Sequence, residues 1–207
     1  MASIVVPFRG LEGKQRLAPL PDRIRAAVAE AMLADVLTAC AEVGPTLVVV
    51  PESAREAVQR GLPAAGVDLV ADPGEGQGAA VAAALARVAD GPVLVVNADL
   101  PCVTARDLYA LLGALPPGGV ALAEAADGTT NALALTSPAL FEPLYGPGSA
   151  ARFRTLGATP AAAQAVPIPN LIDDVDTLDD LRRLGPRVGP RTAAALAALD
   201  LRTGAAA

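Results

Sequence analysis

The sequence contains no histidine and no tryptophan, and it has only two cysteines, Cys40 and Cys102, with no pairing pattern. The absence of histidine excludes a Cys/His zinc site, a Ser-His-Asp or Cys-His triad, and proton transfer by imidazole. Any chemistry must therefore rest on carboxylates, Lys and Arg side chains, hydroxyl groups, backbone amides and a hard metal ion.

Long apolar runs and an excess of positive charge are also missing. No uninterrupted stretch reaches the roughly 18 apolar residues that a membrane span requires, and no signal-peptide pattern is visible, so we expect a cytoplasmic protein without membrane association. Sixteen basic and 22 acidic residues give a net charge of −6, which disfavours nucleic-acid binding. A chain of 207 residues fits one domain, expected to have a core at about 3–184 and a helical tail at 188–207.

Short β-branched segments alternate with helical ones in the first half of the chain, which predicts a mostly parallel sheet covered by helices on both faces. Strands are expected at 3–6, 46–50, 67–71 and 92–96, and helices at 21–42, 53–60 and 77–89. The alternation of strands and helices then ends: a helix at 104–115 precedes strands at 120–124 and 131–135, which resemble a hairpin appended to the sheet. Further helices are expected at 138–144, 149–156, 178–184 and 192–201, with an extended segment at 164–169.

Two acidic segments are candidates for binding Mg²⁺. Asp99 follows a predicted strand directly, where ligands bind in open α/β sheets, although a cap or turn role is the alternative. Asp174 and Asp176 alternate along an extended segment, so their side chains share one face and repel each other unless a cation lies between them. Asp179 and Asp180 are better explained by the first turn of the helix that follows.

Two further segments carry groups that suit anions. The loop after the first strand contains Lys14 and Arg16 among glycines, an arrangement that grips phosphates, although basic loop residues are often simply solvated. The segments around Thr130 and around Gly146 and Ser149 supply hydroxyls and glycine amides for a carboxylate or phosphate, with ordinary turn chemistry as the alternative.

These segments, in this order, resemble the guanylyltransferases of coenzyme F-420 biosynthesis over roughly residues 4–184. The motifs are Lys-Gln-Arg-Leu-Ala-Pro at 14–19, Ala-Asp-Leu-Pro at 98–101, Gly-Thr-Thr-Asn-Ala-Leu at 128–133, Tyr-Gly-Pro-Gly-Ser at 145–149 and Asp-Val-Asp-Thr at 174–177. The resemblance implies a three-layer, Rossmann-like α/β sandwich of the nucleotide-diphospho-sugar-transferase type. It also implies transfer of GMP from GTP to phosphoenolpyruvate or 2-phospho-L-lactate with release of pyrophosphate.

The same resemblance assigns roles to individual residues. Asp99 and Asp176, helped or replaced by Asp174, would hold Mg²⁺, while Lys14 and Arg16 would neutralise the triphosphate. The resemblance implies that the acceptor's acid group is held by Thr130, Gly146 and Ser149. It further implies a labile product that a downstream transferase takes up. The small-residue helices permit a homodimer.

The chain departs from the family pattern at two places. Gly78 stands where the family has Asn, and Phe153 and Arg154 lie near the position of a family His. Two alternatives therefore stay open: another nucleotidyltransferase of the same fold, with a molybdopterin or sugar-phosphate acceptor, and a non-catalytic nucleotide-binding relative. The sequence does not distinguish the two phospho-acid acceptors.

Overall fold

The computed structural model describes residues 1–10, 17, 20–62, 66–156 and 163–198. Seven strands form one sheet in the order β3-β2-β1-β4-β6-β5-β7. Their bounds are β1 Ser3–Pro7, β2 Thr46–Val50, β3 Val67–Ala71, β4 Val93–Val96, β5 Val120–Glu124, β6 Thr130–Leu135 and β7 Ala163–Ala165. The mostly parallel α/β sheet predicted from the alternating pattern is confirmed.

One strand, β6, runs against the other six. It pairs antiparallel with β4 on one side and with β5 on the other. The hairpin predicted from the sequence therefore forms, but it is not simply appended: its second strand returns into the sheet between β4 and β5. This reversal brings the first residues of β6 to the edge where the parallel strands end.

Eight helices are found in the described residues: α1 Asp22–Ala41, α2 Glu52–Gly61, α3 Gln77–Leu85, α4 Ala105–Gly113, α5 Ser149–Phe153, α6 Pro169–Ile172, α7 Leu178–Leu184 and α8 Pro190–Ala198. None of them is long and apolar enough to cross a bilayer. Alternate residues of β1 face opposite sides of the sheet, so Ile4 and Val6 enter one buried cluster and Val5 enters another. The two clusters make the three layers that the sequence pattern predicts.

Two local predictions need correction. The helix expected at 138–144 is only a 3₁₀ turn, Pro138–Leu140, which the side chain of Ser137 caps by accepting the Ala139 amide. The extended segment expected at 164–169 ends as a strand at Ala165, and α6 begins at Pro169. In the second case the proline fits the first turn of a helix, because it has no N–H to donate.

A third apolar cluster joins the C-terminal helices to α1 and to the loops behind the sheet edge. Its buried members are Leu17, Val28, Met32, Cys102, Val175, Leu181, Leu184 and Leu196. The nearly buried carboxylate of Asp35, on α1, accepts the backbone N–H groups of Arg191 and Thr192 at 3.0 and 2.8 Å. Asp35 therefore caps α8 from another helix, and Gly189 leaves the space for it, since a Cβ there would lie 2.4 Å from the Asp35 carboxyl carbon.

We predict that Asp35→Ala lowers the free energy of unfolding by about 1–3 kcal/mol, because two amides in the first turn of α8, one of them buried, lose a charged acceptor. Urea unfolding followed by circular dichroism measures the loss. Glu30→Ala, at an exposed position of the same helix, is the matched control and should change stability by less than about 0.5 kcal/mol. Equal stability of the two variants would contradict the capping role.

Candidate active site

A cleft of about 570 Å³ lies at the carboxyl ends of β1 and β4. Because β6 is antiparallel to β4, with Ala132 opposite Val96, the residues that begin β6 lie beside those that follow β4. The Asn97 amide donates to the Asn131 carbonyl at 2.9 Å and extends this pairing into the cleft. The cleft is lined by residues 7–10, 29, 32, 77, 97–99, 127, 129–131, 145–147, 149, 174 and 176.

Three carboxylates meet at one end of the cleft. Asp99, Asp174 and Asp176 each offer an oxygen, and these oxygens all lie within 4.8 Å of one another, on partly buried side chains. Burial, followed by the charges of Asp99 and Asp176, raises the pKa of Asp174 to about 6. Hard oxygen donors crowded in this way fit Mg²⁺, which takes one or two carboxylates together with phosphate oxygens and water.

Backbone and apolar contacts hold these acids together. Val175, between the two acids, is fully buried in the third apolar cluster, and its amide donates to the Asp99 carbonyl at 3.0 Å. The side-chain amide of Asn131 donates to the Ile172 carbonyl at 3.0 Å. The acidic loop is thus attached both to the end of β4 and to the start of β6.

The neighbouring acids have structural partners. Asp173 accepts hydrogen bonds from Arg183 and Arg187, each at 2.8 Å, and although burial opposes ionisation, these bonds leave its pKa below the usual range. Asp180 completes a capping box with Thr177, and Asp179 pairs with Arg182 at 2.9 Å. The prediction that Asp179 and Asp180 serve the helix is therefore confirmed.

Hydroxyl groups and a glycine turn also line the cleft. Thr130 is 2% exposed and Ser149 is fully buried, and the Ser149 Oγ lies 3.1 Å from the Thr130 Oγ1. Gly146 also lines the cleft and has a φ of +113°, a conformation that side-chain-bearing residues rarely adopt. The structure thus brings Thr130, Gly146 and Ser149 together in the same cleft as the acids.

A chain of side-chain amides, to which sequence reasoning assigned no role, crosses the floor of the cleft. Gln77 accepts a hydrogen bond from Arg9 at 3.2 Å and donates to the Asn97 side chain at 2.8 Å. Asn97 in turn donates to the Thr130 carbonyl at 3.2 Å. The position of Asn97, two residues before Asp99 at a strand end, was the available signal. Lys14 and Arg16, predicted to contact phosphate, lie outside the described residues.

Comparisons with known proteins show which family the chain belongs to. The model of the MobA-like NTP transferase domain matches residues 22–162. A protein of Streptomyces scabiei (strain 87.22) named phosphoenolpyruvate guanylyltransferase is 39% identical over 210 residues, covering 95% of this chain and 96% of the relative. The chain belongs to the phosphoenolpyruvate guanylyltransferase family. It is a nucleotidyltransferase, and the family resemblance expected from the motifs is confirmed.

Solved structures agree on the fold. A Desulfovibrio desulfuricans G20 protein, assigned as a nucleotide-diphospho-sugar transferase, is 18% identical and superposes with a TM-score of 0.74 over 97% of this chain and 96% of that protein. The manganese complex of Rv0371c from Mycobacterium tuberculosis H37Rv is 24% identical and has a TM-score of 0.58 over 88% and 97% of the two chains. The predicted nucleotide-diphospho-sugar-transferase fold is therefore confirmed.

The two departures from the phosphoenolpyruvate guanylyltransferase family pattern have structural explanations. A Cβ at Gly78 would lie 2.6 Å from the Pro143 Cβ, so this chain packs Pro143 against α3 at a position where a side chain does not fit. Phe153 is fully buried, and its ring meets that of Tyr145 edge-on at 5.0 Å. Both positions therefore serve the packing of the segment that leads to Gly146.

We predict a pH-dependent stability effect from the crowding of the acids. The pKa of Asp174 in the folded protein exceeds its usual 3.8, so the metal-free native state loses stability as pH rises through the interval from about 4 to about 6. Asp174→Asn removes this loss and should raise the free energy of unfolding at pH 8 by about 1 kcal/mol, after allowance for solvent screening.

Urea unfolding of the metal-free protein between pH 4 and pH 8 measures this effect. The advantage of Asp174→Asn should shrink towards pH 4, whereas Asp68→Asn, at an exposed position of the edge strand β3, should show no such trend. A variant at position 174 that is no more stable than the parent at pH 8 would argue against crowding.

Proposed function

We propose that this nucleotidyltransferase transfers GMP from GTP to phosphoenolpyruvate and releases pyrophosphate, with 2-phospho-L-lactate as the alternative acceptor. The proposal extends to the whole chain as one catalytic domain that works in the cytoplasm, in the biosynthesis of coenzyme F-420. The proposal is supported by the name of the relatives and by the motifs that this chain shares with that family.

One observation carries the proposal: a single cleft contains both a cluster of carboxylates and buried hydroxyls with a glycine turn. The carboxylates suit a cation that accompanies a triphosphate. The hydroxyls and the Gly146 amide suit the acid group of a small phospho-acid. An enzyme that joins these two substrates needs the carboxylates and the hydroxyl groups to lie around one reacting phosphorus atom.

The reaction itself requires little from the protein beyond positioning. A phosphate oxygen of the acceptor attacks the α-phosphorus of GTP in line, and the bond from that phosphorus to the oxygen bridging the α- and β-phosphates breaks. The electron pair leaves with pyrophosphate. Since the attacking oxygen is already an anion, no general base is needed, which agrees with a chain that has no histidine.

The residues present fit a divalent ion. Asp99, Asp174 and Asp176 would hold Mg²⁺, which when bound neutralises charge on the phosphates and on the leaving pyrophosphate. Thr130, Gly146 and Ser149 orient the acceptor by its acid group. We assign Lys14 and Arg16 to the triphosphate, as the family motif implies.

The proposed product is a mixed diphosphate of an enol phosphate, or of a lactyl phosphate, with GMP. Such a product is labile, so we propose that a downstream transferase takes it up. A homodimer is compatible with this scheme and is not required by it, because every residue to which we assign a role belongs to one chain.

Pyrophosphate release in the presence of Mg²⁺ tests the proposal. Each of the four NTPs is combined with phosphoenolpyruvate, 2-phospho-L-lactate, 3-phosphoglycerate or a sugar 1-phosphate. Pyrophosphatase draws the reaction forward by converting the released pyrophosphate to orthophosphate, which is measured. We expect release with GTP and phosphoenolpyruvate. Release only with the sugar 1-phosphate would assign the chain to another activity of this fold. GTP binding without turnover on any acceptor would favour the non-catalytic alternative.

The metal assignment predicts the effect of Asp99→Asn. Loss of one negative ligand should lower kcat/KM by at least about 100-fold, because the charge of the triphosphate is then less well neutralised. Asp179→Asn, which changes an exposed acid on α7, is the matched control and should keep the parental rate. Parental activity in a folded Asp99→Asn variant would refute the metal role of Asp99.

A further inference from the structure

The turn that carries Gly146 is held from outside the cleft by one guanidinium group. Arg152, on α5, donates from Nε and Nη2 to the Leu144 carbonyl at 3.1 and 2.9 Å. Its Nη2 also donates to the Tyr145 carbonyl at 3.3 Å, and its Nη1 donates to the Pro147 carbonyl at 2.7 Å. One side chain therefore gathers three backbone carbonyls of the same turn.

The direction of these carbonyls determines the direction of the amides. In a trans peptide the C=O and the following N–H point to opposite sides, so a Tyr145 carbonyl drawn towards Arg152 turns the Gly146 N–H the other way. Gly146 lines the cleft, whereas Arg152 does not. Within the described part of the chain, the Gly146 amide donates to no backbone or side-chain acceptor. It is thus available to an anion in the cleft.

The turn does not hold this shape by itself. Gly146 and Gly148 have φ angles of +113° and +69°, and glycine is the residue with most conformational freedom to lose. The aromatic contact between Tyr145 and Phe153 anchors the beginning of the turn to α5. After that anchor, the guanidinium holds the Tyr145 and Pro147 carbonyls, and the Ser149 amide donates to the Gly146 carbonyl at 3.0 Å.

We propose that Arg152 is a positioning residue for acceptor binding: its planar fork aims the Gly146 amide at the acid group of the acceptor. The inference rests on the proposed function for the identity of that acceptor. The geometry of the fork matters more than its charge, because an ammonium group cannot hold three carbonyls in one plane as guanidinium does. All the hydrogen bonds of Arg152 noted above go to protein carbonyls, so its role is indirect.

The kinetic test compares Arg152→Ala and Arg152→Lys with the parent enzyme. We expect Arg152→Ala to raise the KM for phosphoenolpyruvate about tenfold or more, while the KM for GTP and kcat change by less than about threefold. Arg152→Lys should behave like the alanine variant. Methylguanidinium added to Arg152→Ala should restore part of the acceptor affinity, and it should not affect the parent.

Two controls separate positioning from general damage. Arg60→Ala removes an exposed arginine that pairs only with Glu56 among the described residues of α2, and it should leave every constant unchanged. The thermal midpoint of Arg152→Ala should stay close to the parental value, since the Tyr145–Phe153 contact persists. Parental acceptor KM in Arg152→Lys would assign the effect to charge, and equal rises in both KM values would assign it to misfolding; either result overturns the proposal.

A binding experiment keeps this inference distinct from the proposed reaction. In ¹⁵N-labelled protein without GTP, phosphoenolpyruvate should shift the Gly146 amide resonance of the parent, and about tenfold more should be required in Arg152→Ala. If the parent turns over no acceptor but this contrast appears, the proposed reaction fails while the positioning role stands. An identical titration in parent and variant overturns the positioning role, whatever the activity.

Discussion

Three carboxylates within 4.8 Å of one another are the constraint around which this protein is organised. At an effective dielectric constant of about 20, each ionised pair repels by about 3 kcal/mol. The three acids are partly buried, so exposure to water relieves this repulsion only in part. The surrounding structure must therefore hold in place a loop that electrostatics would separate.

The C-terminal third of the described chain supplies that restraint. Val175 is buried between α7, α8 and α1, and Arg183 and Arg187 hold Asp173 from the solvent side. Asp35 fixes the start of α8 on α1, so that the helix covering Val175 is itself tied to the core. A buried side chain with acids on both sides is an effective way to present two charges while keeping the backbone rigid.

The reversed strand β6 connects the carboxylates of the cleft with its hydroxyl groups. Its first residues, Thr130 and Asn131, are attached to Asn97 after β4 and to the acidic loop, and Thr130 also meets Ser149 of the glycine turn. A parallel strand at this position would begin at the opposite edge of the sheet. The antiparallel direction of β6 is thus what places groups suited to an anion within the same cleft as the carboxylates.

The sequence by itself determined the features that depend on neighbouring residues. These are the alternation of strands and helices, the start of the helix capped by Thr177, the acids at strand ends and the exclusion of imidazole chemistry. Each arises from periodicity, from a cap three residues away or from composition. The family motifs added which acids and hydroxyls to consider together, although Lys14 and Arg16 lie outside the described residues.

Only the tertiary structure decided which distant segments meet. The insertion of β6 between β4 and β5 and the contacts of Arg152 with three carbonyls leave no local pattern in the sequence. The position of Asn97 at a strand end is visible in the sequence, but its hydrogen bond with Gln77 is not. Strand order is set by long-range pairing, and a side-chain amide or guanidinium finds its partners only once that pairing has formed. The same physical reason applies to Gly78 and Phe153. In the sequence they are departures from the family pattern, and only the fold shows that they are packing positions.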